Sequence, residues 1–249
     1  MHKRCYNTHM SHAVQPFTPR VVLGIAAHPD DLEFAAGGSI TAWAKAGATV
    51  YYLILTNGNR GSKTDASPET IQALRHEEQL AAARILGVSD VFFAEYDDCC
   101  LQPTEALKKD LVRAVRHLRP DTVVTLDPTM VYCAKEGYIN HPDHRAAGQA
   151  ALDAIFPLAR DRLSFPELIT EEGLQPHAVA TVLLFNLNTA TFYVDITEHL
   201  ETKLAGLLAH KSQFDTASDI TARVKKLAKE NGADCGAMYA ESFVRIDVA

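Results

Sequence analysis

Val21-Val22-Leu23-Gly24-Ile25-Ala26, followed at once by Ala27-His28-Pro29-Asp30-Asp31, decides how this chain is read. The first six residues are continuously apolar, which suits a parallel strand covered on both faces. Similar runs follow at Val50–Leu55, Val91–Phe93 and Thr122–Leu126. Amphipathic segments separate them. Leu107, Leu111, Val115 and Leu118 step by four, four and three, making one helical face that Pro120 stops. Ile71, Leu74, Ala81, Ala82 and Ile85 make another, ended by Gly87. The alternation predicts an α/β fold: a Rossmann-like, mostly parallel sheet with helices on both faces and right-handed crossovers.

Beyond residue 155 the periodicity weakens. Phe156 to Pro176 carries three prolines and reads as an excursion or cap. Ala178–Leu187 and Phe192–Val194 read as strands. Asp195 with Glu198 reads as a capping box for a helix through Leu200, Leu204, Leu207 and Leu208. A polar helix around Asp219–Lys229 and a short terminal strand or helix complete a smaller C-terminal α+β extension in the same domain. Residues 1–18 are expected to form a flexible leader whose His2, His9 and His12 are solvated, and residues 19–249 a single domain.

The net charge of −7 argues against nucleic acid as a partner, because such a surface repels phosphate. The five cysteines are odd in number, two are adjacent and no Cys-x-x-Cys occurs. They read as reduced thiols of a cytoplasmic protein. The first 20 residues have no apolar core of a secretory signal. No stretch approaches the ~18 apolar residues of a membrane span, so no membrane partner is expected.

His28-Pro29-Asp30-Asp31 lies where doubly wound sheets bind ligands, beyond the carboxyl end of a strand. If a helix starts near Asp30, His28 and Asp31 converge, and imidazole with carboxylate is a usual zinc pair. Asp30 then points elsewhere and can serve as a base. The bland alternative has an aspartate capping the helix and His28 packed in the core. Gly37-Gly38 does not make a nucleotide loop, since no Gly-x-Gly-x-x-Gly follows the strand. These glycines read as allowing close packing of the helix. His141-Pro142-Asp143-His144 repeats the same vocabulary at another helix start. One histidine can bind metal while the other donates a hydrogen bond, and Asp143 can fix a neighbouring tautomer. His28, Asp31 and His144 give three ligands and leave a fourth position open, as a catalytic zinc needs. There is no His-Glu-x-x-His and no Gly-x-Ser-x-Gly.

With Arg75-His76-Glu77-Glu78 and His210-Lys211-Ser212-Gln213, these runs resemble the LmbE-like, or phosphatidylinositol-glycan class L, family of zinc-dependent N-acetylglucosaminide deacetylases. The likeness covers about Val21 to Arg245, and His-Pro-Asp-His-Arg looks closest to the bacillithiol-type bacterial branch. The resemblance implies that His28, Asp31 and His144 bind Zn²⁺ and that Asp30 is the general base. It implies that His141, oriented by Asp143, polarises the amide carbonyl, and that Arg75 and Asp98 contact an amino-sugar substrate. It also implies a homo-oligomer, frequently a hexamer. A mobile tyrosine of the mycothiol-type enzymes is replaced here by Ile139, with Tyr138 one residue away. Cys99-Cys100 stands where relatives often carry glycine. Arg75 and Glu78 fall on an inward helical stripe, where a charged pair must meet a site or each other. The ligand set also suits Fe²⁺, cobalt or nickel. The alternatives are hydrolysis of another acyl amide, or a non-catalytic doubly wound sugar- or nucleotide-binding protein.

Overall fold

In the computed structural model, which describes residues 14, 16–60, 65–214 and 216–248, each apolar run becomes a strand. In chain order the elements are β1 (Val21–Ala26), α1 (Asp31–Lys45), β2 (Thr49–Thr56), α2 (Pro68–Leu86), β3 (Asp90–Tyr96) and α3 (Glu105–Leu118). Next come β4 (Thr122–Leu126), β5 (Tyr132–Cys133), β6 (Tyr138–Ile139), α4 (Pro142–Asp153) and α5 (Glu167–Thr170). β7 (Thr181–Phe185), β8 (Phe192–Asp195), α6 (Leu200–Leu207), α7 (Ala217–Cys235) and β9 (Ala240–Asp247) follow. The main sheet has the order β3-β2-β1-β4-β7-β9-β8. Its first five strands are parallel, and β9 and β8 close it with antiparallel pairs. Val22 and Ala26 of β1 meet Ile40 and Trp43 of α1 on one face. Leu23 and Ile25 meet Leu107, Leu111 and Val115 of α3 on the other. Each buried Val, Leu or Ile among them contributes about 1.5–3 kcal/mol relative to exposure. The expected α/β class and helices on both faces are what the chain adopts.

The differences are local and have physical causes. β3 is an edge strand, so Phe92 is exposed where a doubly covered strand was expected. On α2 the expected apolar stripe is buried only in part: Ile71 and Ala82 are buried and Leu74 and Ile85 exposed, while Arg75 and Glu78, expected on the inward side, are buried together with Gln79. That face meets polar partners at the site described below, and hydrogen bonding outweighs apolarity there. Asp195 does not cap α6. It accepts from Thr197 N at 2.8 Å in a turn of its own, and the helix begins after His199. Residues 1–13 and 15 of the expected leader, with its three histidines, lie outside the described residues. Phe17 packs edge-on against Trp43 and Phe192, so ordered chain begins ahead of β1.

Between α4 and α5 the chain makes the anticipated excursion. Arg116 of α3, 2% exposed, organises it. Its guanidinium donates to the carbonyl oxygens of Leu158, Ala159, Asp161, Ser164 and Phe165 at 2.7–3.4 Å. One buried cation thus gathers the backbone carbonyls of this segment, whose Ile155 and Ala159 pack into the core.

Two glycines set helix positions. A Cβ on Gly148 would overlap the carbonyl oxygen of Leu126, so only glycine lets α4 press against the end of β4. A Cβ on Gly38 would lie 2.7 Å from Ile196 Cγ2. Close packing there also admits an ion pair into the side of α1. Glu241 accepts from the N–H groups of Gly38 (2.9 Å) and Ser39 (2.7 Å), and Lys203 Nζ donates to Phe34 O (2.6 Å) and bonds Glu241. In an uninterrupted helix Gly38 N–H and Phe34 C=O would serve each other alone. The last strand is therefore stitched into the helix that follows the first.

Candidate metal centre

β1 and β4 are neighbours at which the sheet order reverses, and a crevice opens beyond their carboxyl ends. The first motif leaves β1, and the second opens α4 beside the end of β4. Adjacent strands thus carry two motifs 113 residues apart, His28 to His141, to one place.

Asp30 is the residue before α1 and takes φ 91°, a left-handed conformation uncommon for a residue with a side chain. Its side chain makes no capping bond, and its N–H donates to Gln79 Oε1 at 3.2 Å. The turn leaves the Asp30 carboxyl free while Asp31 folds back to accept from His28 N at 2.8 Å. The capping alternative is therefore not realised by Asp30. Such strain in a side-chain-bearing residue clusters at functional sites.

Three ligand atoms converge. His144 Nε2 lies 3.0 Å from Asp31 Oδ1 and 3.2 Å from His28 Nδ1, and His28 Nδ1 lies 3.6 Å from Asp31 Oδ2. His28, Asp98 and His141 form a second group of potential ligand atoms. The two groups share His28, and its two ring nitrogens separate them. Nδ1 faces Asp31 and His144, while Nε2 faces Asp98 Oδ1 at 3.2 Å and Asp143 Oδ2 at 3.4 Å. A metal-binding histidine offers one nitrogen to the ion and turns its other N–H to a carboxylate or carbonyl. The first group meets that rule, and the second would leave two imidazole nitrogens facing each other at 3.2 Å. His144 meets the rule as well. Its Nδ1 lies 2.9 Å from Asn140 Oδ1, and Asn140 is itself fixed by donating from Nδ2 to Met130 O at 2.7 Å.

The electrostatics fit a cation. Burial disfavours a charged His28, yet its bonds to Asp143, Asp31 and Asp98 raise its pKa well above the ordinary histidine value. Burial also opposes ionisation of Asp31, but His144 and His28 hold its carboxyl far below the usual range. Burial, reinforced by the neighbouring Asp31, pushes the Asp30 carboxyl up to about 7 against the pull of His210 and His28.

His141 sits across the cleft. Its Nδ1 accepts from Asp143 N at 3.2 Å, so in the neutral ring the proton resides on Nε2. Burial and the charge of His28 lower its pKa, favouring that neutral ring. Asp143's link to His141 runs through that backbone N–H. Its carboxylate accepts from Cys99 N (2.7 Å) and Leu101 N (3.2 Å) and faces His28. Asp98 lines the cleft with both oxygens near protein groups, His28 on one side and Arg60 N (3.2 Å) and Arg75 on the other. Arg75 also lines it. Its Nη1 donates to Gly58 O, and its Nε is buried without a partner among the described residues.

Sequence reasoning missed a supporting layer. Asn140, just ahead of the second motif, belongs to it. Glu33, fully buried, accepts from Gln79 Nε2 at 2.9 Å and lies 3.4 Å from His210 Nε2. Glu33 stands four residues before Gly37 and seven before Ile40 on the buried stripe of α1, and that phase was the available signal. His210 and Ser212 acquire contacts here: His210 faces Glu33, which Gln79 links to the Asp30 N–H, and Ser212 bonds Glu78.

A doubly wound α/β sheet carries at its switch point a His₂Asp cluster that could hold a metal ion, beside the uncapped carboxyl of Asp30. Comparison with known families narrows this. Residues 23–155 match the model of the PIG-L family, described as GlcNAc-PI de-N-acetylase, and the chain belongs to that family. It is 34% identical over 202 residues to the diacetylchitobiose deacetylase of Thermococcus kodakarensis, covering 80% of this chain and 73% of that one. A probable N-acetyl-alpha-D-glucosaminyl L-malate deacetylase 2 of Bacillus anthracis is 29% identical, over 79% of this chain and 83% of that one. The N,N'-diacetylchitobiose deacetylase of Pyrococcus horikoshii, solved with its inhibitor MPG, superposes with a TM-score of 0.84 at 29% identity. That match covers 92% of this chain and 84% of the other. Among the described residues no helix is long and apolar enough to cross a membrane.

Proposed function

We propose that this chain is a metal-dependent N-deacetylase that removes the acetyl group from an N-acetylglucosamine-containing small molecule or glycoside and releases acetate. The observation that carries the reading is the convergence of His28 Nδ1, Asp31 and His144 Nε2 beside the uncapped carboxyl of Asp30. The relatives described above are named for such deacetylations. His28, Asp31 and His144 would hold the ion. Zn²⁺ suits the nitrogen and oxygen donors, and Fe²⁺ suits them too. A divalent ion there supplies Lewis acidity, lowering the pKa of a water to about 7 and polarising the acyl oxygen.

The remaining chemistry belongs to the chain. Asp30 takes the proton of the attacking water and delivers it to the leaving nitrogen. Its carboxyl lines the cleft beside the ligands, where one group can reach both the water and the leaving nitrogen. His141 Nε2–H donates to the acyl oxygen as negative charge develops on it, and loss of one such donor costs roughly 10²–10³ in turnover. Asp143 positions His28 and, through its N–H, His141. Arg75 and Asp98 line the wall where the sugar hydroxyls lie. A cytoplasmic setting goes with the reading, supported by the free Cys99, Cys100, Cys133 and Cys235. So does a homo-oligomer, possible hexamers included, supported by the exposed Val131, Tyr132 and Ile139 beside the cleft.

The test is acetate release from N-acetylglucosamine, N,N'-diacetylchitobiose and N-acetylglucosaminyl glycosides, with chelator and with added Zn²⁺. Chelator-sensitive release is expected from at least one. No such release from any of them would sink the reading.

A further inference from the structure

Two separate spaces meet at the candidate centre. One is the open polar cleft of about 360 Å³, lined by His28, Arg75, Asp98 and His141. The other is a cavity of about 180 Å³ on the far side of the ligands. Phe34, Leu126, Met130, Phe185, Leu187 and Ile220 form its apolar walls. Asp30, Asp31, Tyr138 and His144 line both spaces, so the reacting centre lies in the partition between them. An amide carbonyl at that partition has three substituents to distribute. Its oxygen faces the ligands and His141. Its nitrogen, carrying the sugar, belongs in the polar cleft that His141, Arg75 and Asp98 share. The acyl carbon chain is left with the apolar side.

The cavity is larger than an acetyl group requires. An apolar cavity of about 150 Å³ accommodates a benzene ring, six carbons in all. A methyl group alone would leave most of this one without contacts, which packed interiors avoid. Arg223 closes the outer end, its guanidinium 5.4 Å from the centre of the Phe34 ring.

We infer that the cavity formed by Phe34, Leu126, Met130, Phe185, Leu187 and Ile220 is an acyl-binding pocket that admits straight-chain amides of about four to six carbons as well as acetamides. This rests on the deacetylase reading and extends its substrate class. The reaction balances as ordinary hydrolysis: the C–N bond breaks, hydroxide from water joins the acyl carbon, and the proton joins nitrogen. The products are a fatty carboxylate and the free amino sugar.

The experiment measures amine release from the N-acetyl, N-butanoyl and N-hexanoyl forms of glucosamine and chitobiose by the metal-loaded protein. The butanoyl and hexanoyl amides are expected within about ten-fold of the acetamide in kcat/KM; a greater loss overturns the inference while leaving the deacetylase reading intact. Ile220→Trp, which reduces the pocket volume, should lower kcat/KM for both longer amides by at least about ten-fold more than for the acetamide. Equal losses on all three overturn it. Binding of hexanamide to the metal-free protein, followed by the methyl NMR signals of Met130 and Ile220, reads the pocket without turnover. Absence of any shift overturns it as well. No amine from any amide, acetamide included, would instead bring down the deacetylase reading.

Discussion

Glu78 receives two hydrogen bonds from Ser212, one from the backbone N–H at 2.9 Å and one from the hydroxyl at 2.6 Å. The contact joins α2 to the segment carrying His210 and Gln213, and Gln213 lines the polar cleft. Ser212→Ala removes one donor from a buried carboxylate and should cost about 1–3 kcal/mol in urea unfolding. It should raise KM more than it lowers kcat, because the cleft wall moves and the ligands do not. An unchanged KM would mean that the contact serves stability alone.

Asn140 determines the tautomer of His144, and its loss should appear in metal affinity before it appears in chemistry. Asn140→Ala is expected to weaken binding of the ion by about 10–100-fold. Competition against a chromophoric chelator measures this directly. Asn140→Asp keeps an acceptor for Nδ1 but loses the donor to Met130 O, so it should recover only part of the affinity. Equal affinity of the alanine variant and the parent would remove Asn140 from the site.

Asp30 gives a stability signature with a definite sign. Its folded carboxyl titrates at about 7, against about 3.9 for an unfolded aspartate. The folded state therefore binds the extra proton between those values, and stability of the metal-free protein falls as pH rises from about 4 to about 7. Asp30→Asn removes that penalty. Its advantage in Tm over the parent, both metal-free, should grow across this window and level off above it. Turnover of the loaded variant should fall by roughly 10²–10⁴ while the ion still binds. A Tm difference that does not change with pH would place the Asp30 carboxyl in contact with water.

Lys203 and Glu241 are both buried, so breaking the pair from one side leaves a charge without its partner. Lys203→Met should cost about 3–5 kcal/mol, measured by urea unfolding. Adding Glu241→Gln should recover part of the loss, since the amide oxygen can still accept from α1. A loss below about 1 kcal/mol in the single variant would be inconsistent with a buried pair.

The sequence made the sheet legible because Val21–Ala26 and Thr122–Leu126 are apolar without alternation, which leaves few other structures open to them. It made the two motifs legible because both contain ligand-type side chains at helical spacing. On α2 it was legible in part: Leu74 and Ile85 of the apolar pattern are exposed, and Arg75, Glu78 and Gln79 share the interior with Ile71 and Ala82, the first two on the inward side as expected. A periodicity argument values a side chain by transfer to oil, and these three are placed by partners contributed from distant segments. Arg116 is a similar case: in one dimension it is a basic residue near a helix end, and its five carbonyl partners begin more than 40 residues later. Glu241 could not be read either, because its partners, Gly38 and Ser39, are more than 200 residues away.

The stitching of Glu241 and Lys203 into α1 has a consequence for the order in which the chain becomes competent. All three candidate ligands have left the ribosome once the segment after His144 has emerged, yet the helix that bears Asp31 still lacks the carboxylate and ammonium that complete its interior bonding. Completion of α1 therefore waits on residues 203 and 241, and the helix that bears Asp31 reaches its final bonding only after both have been made.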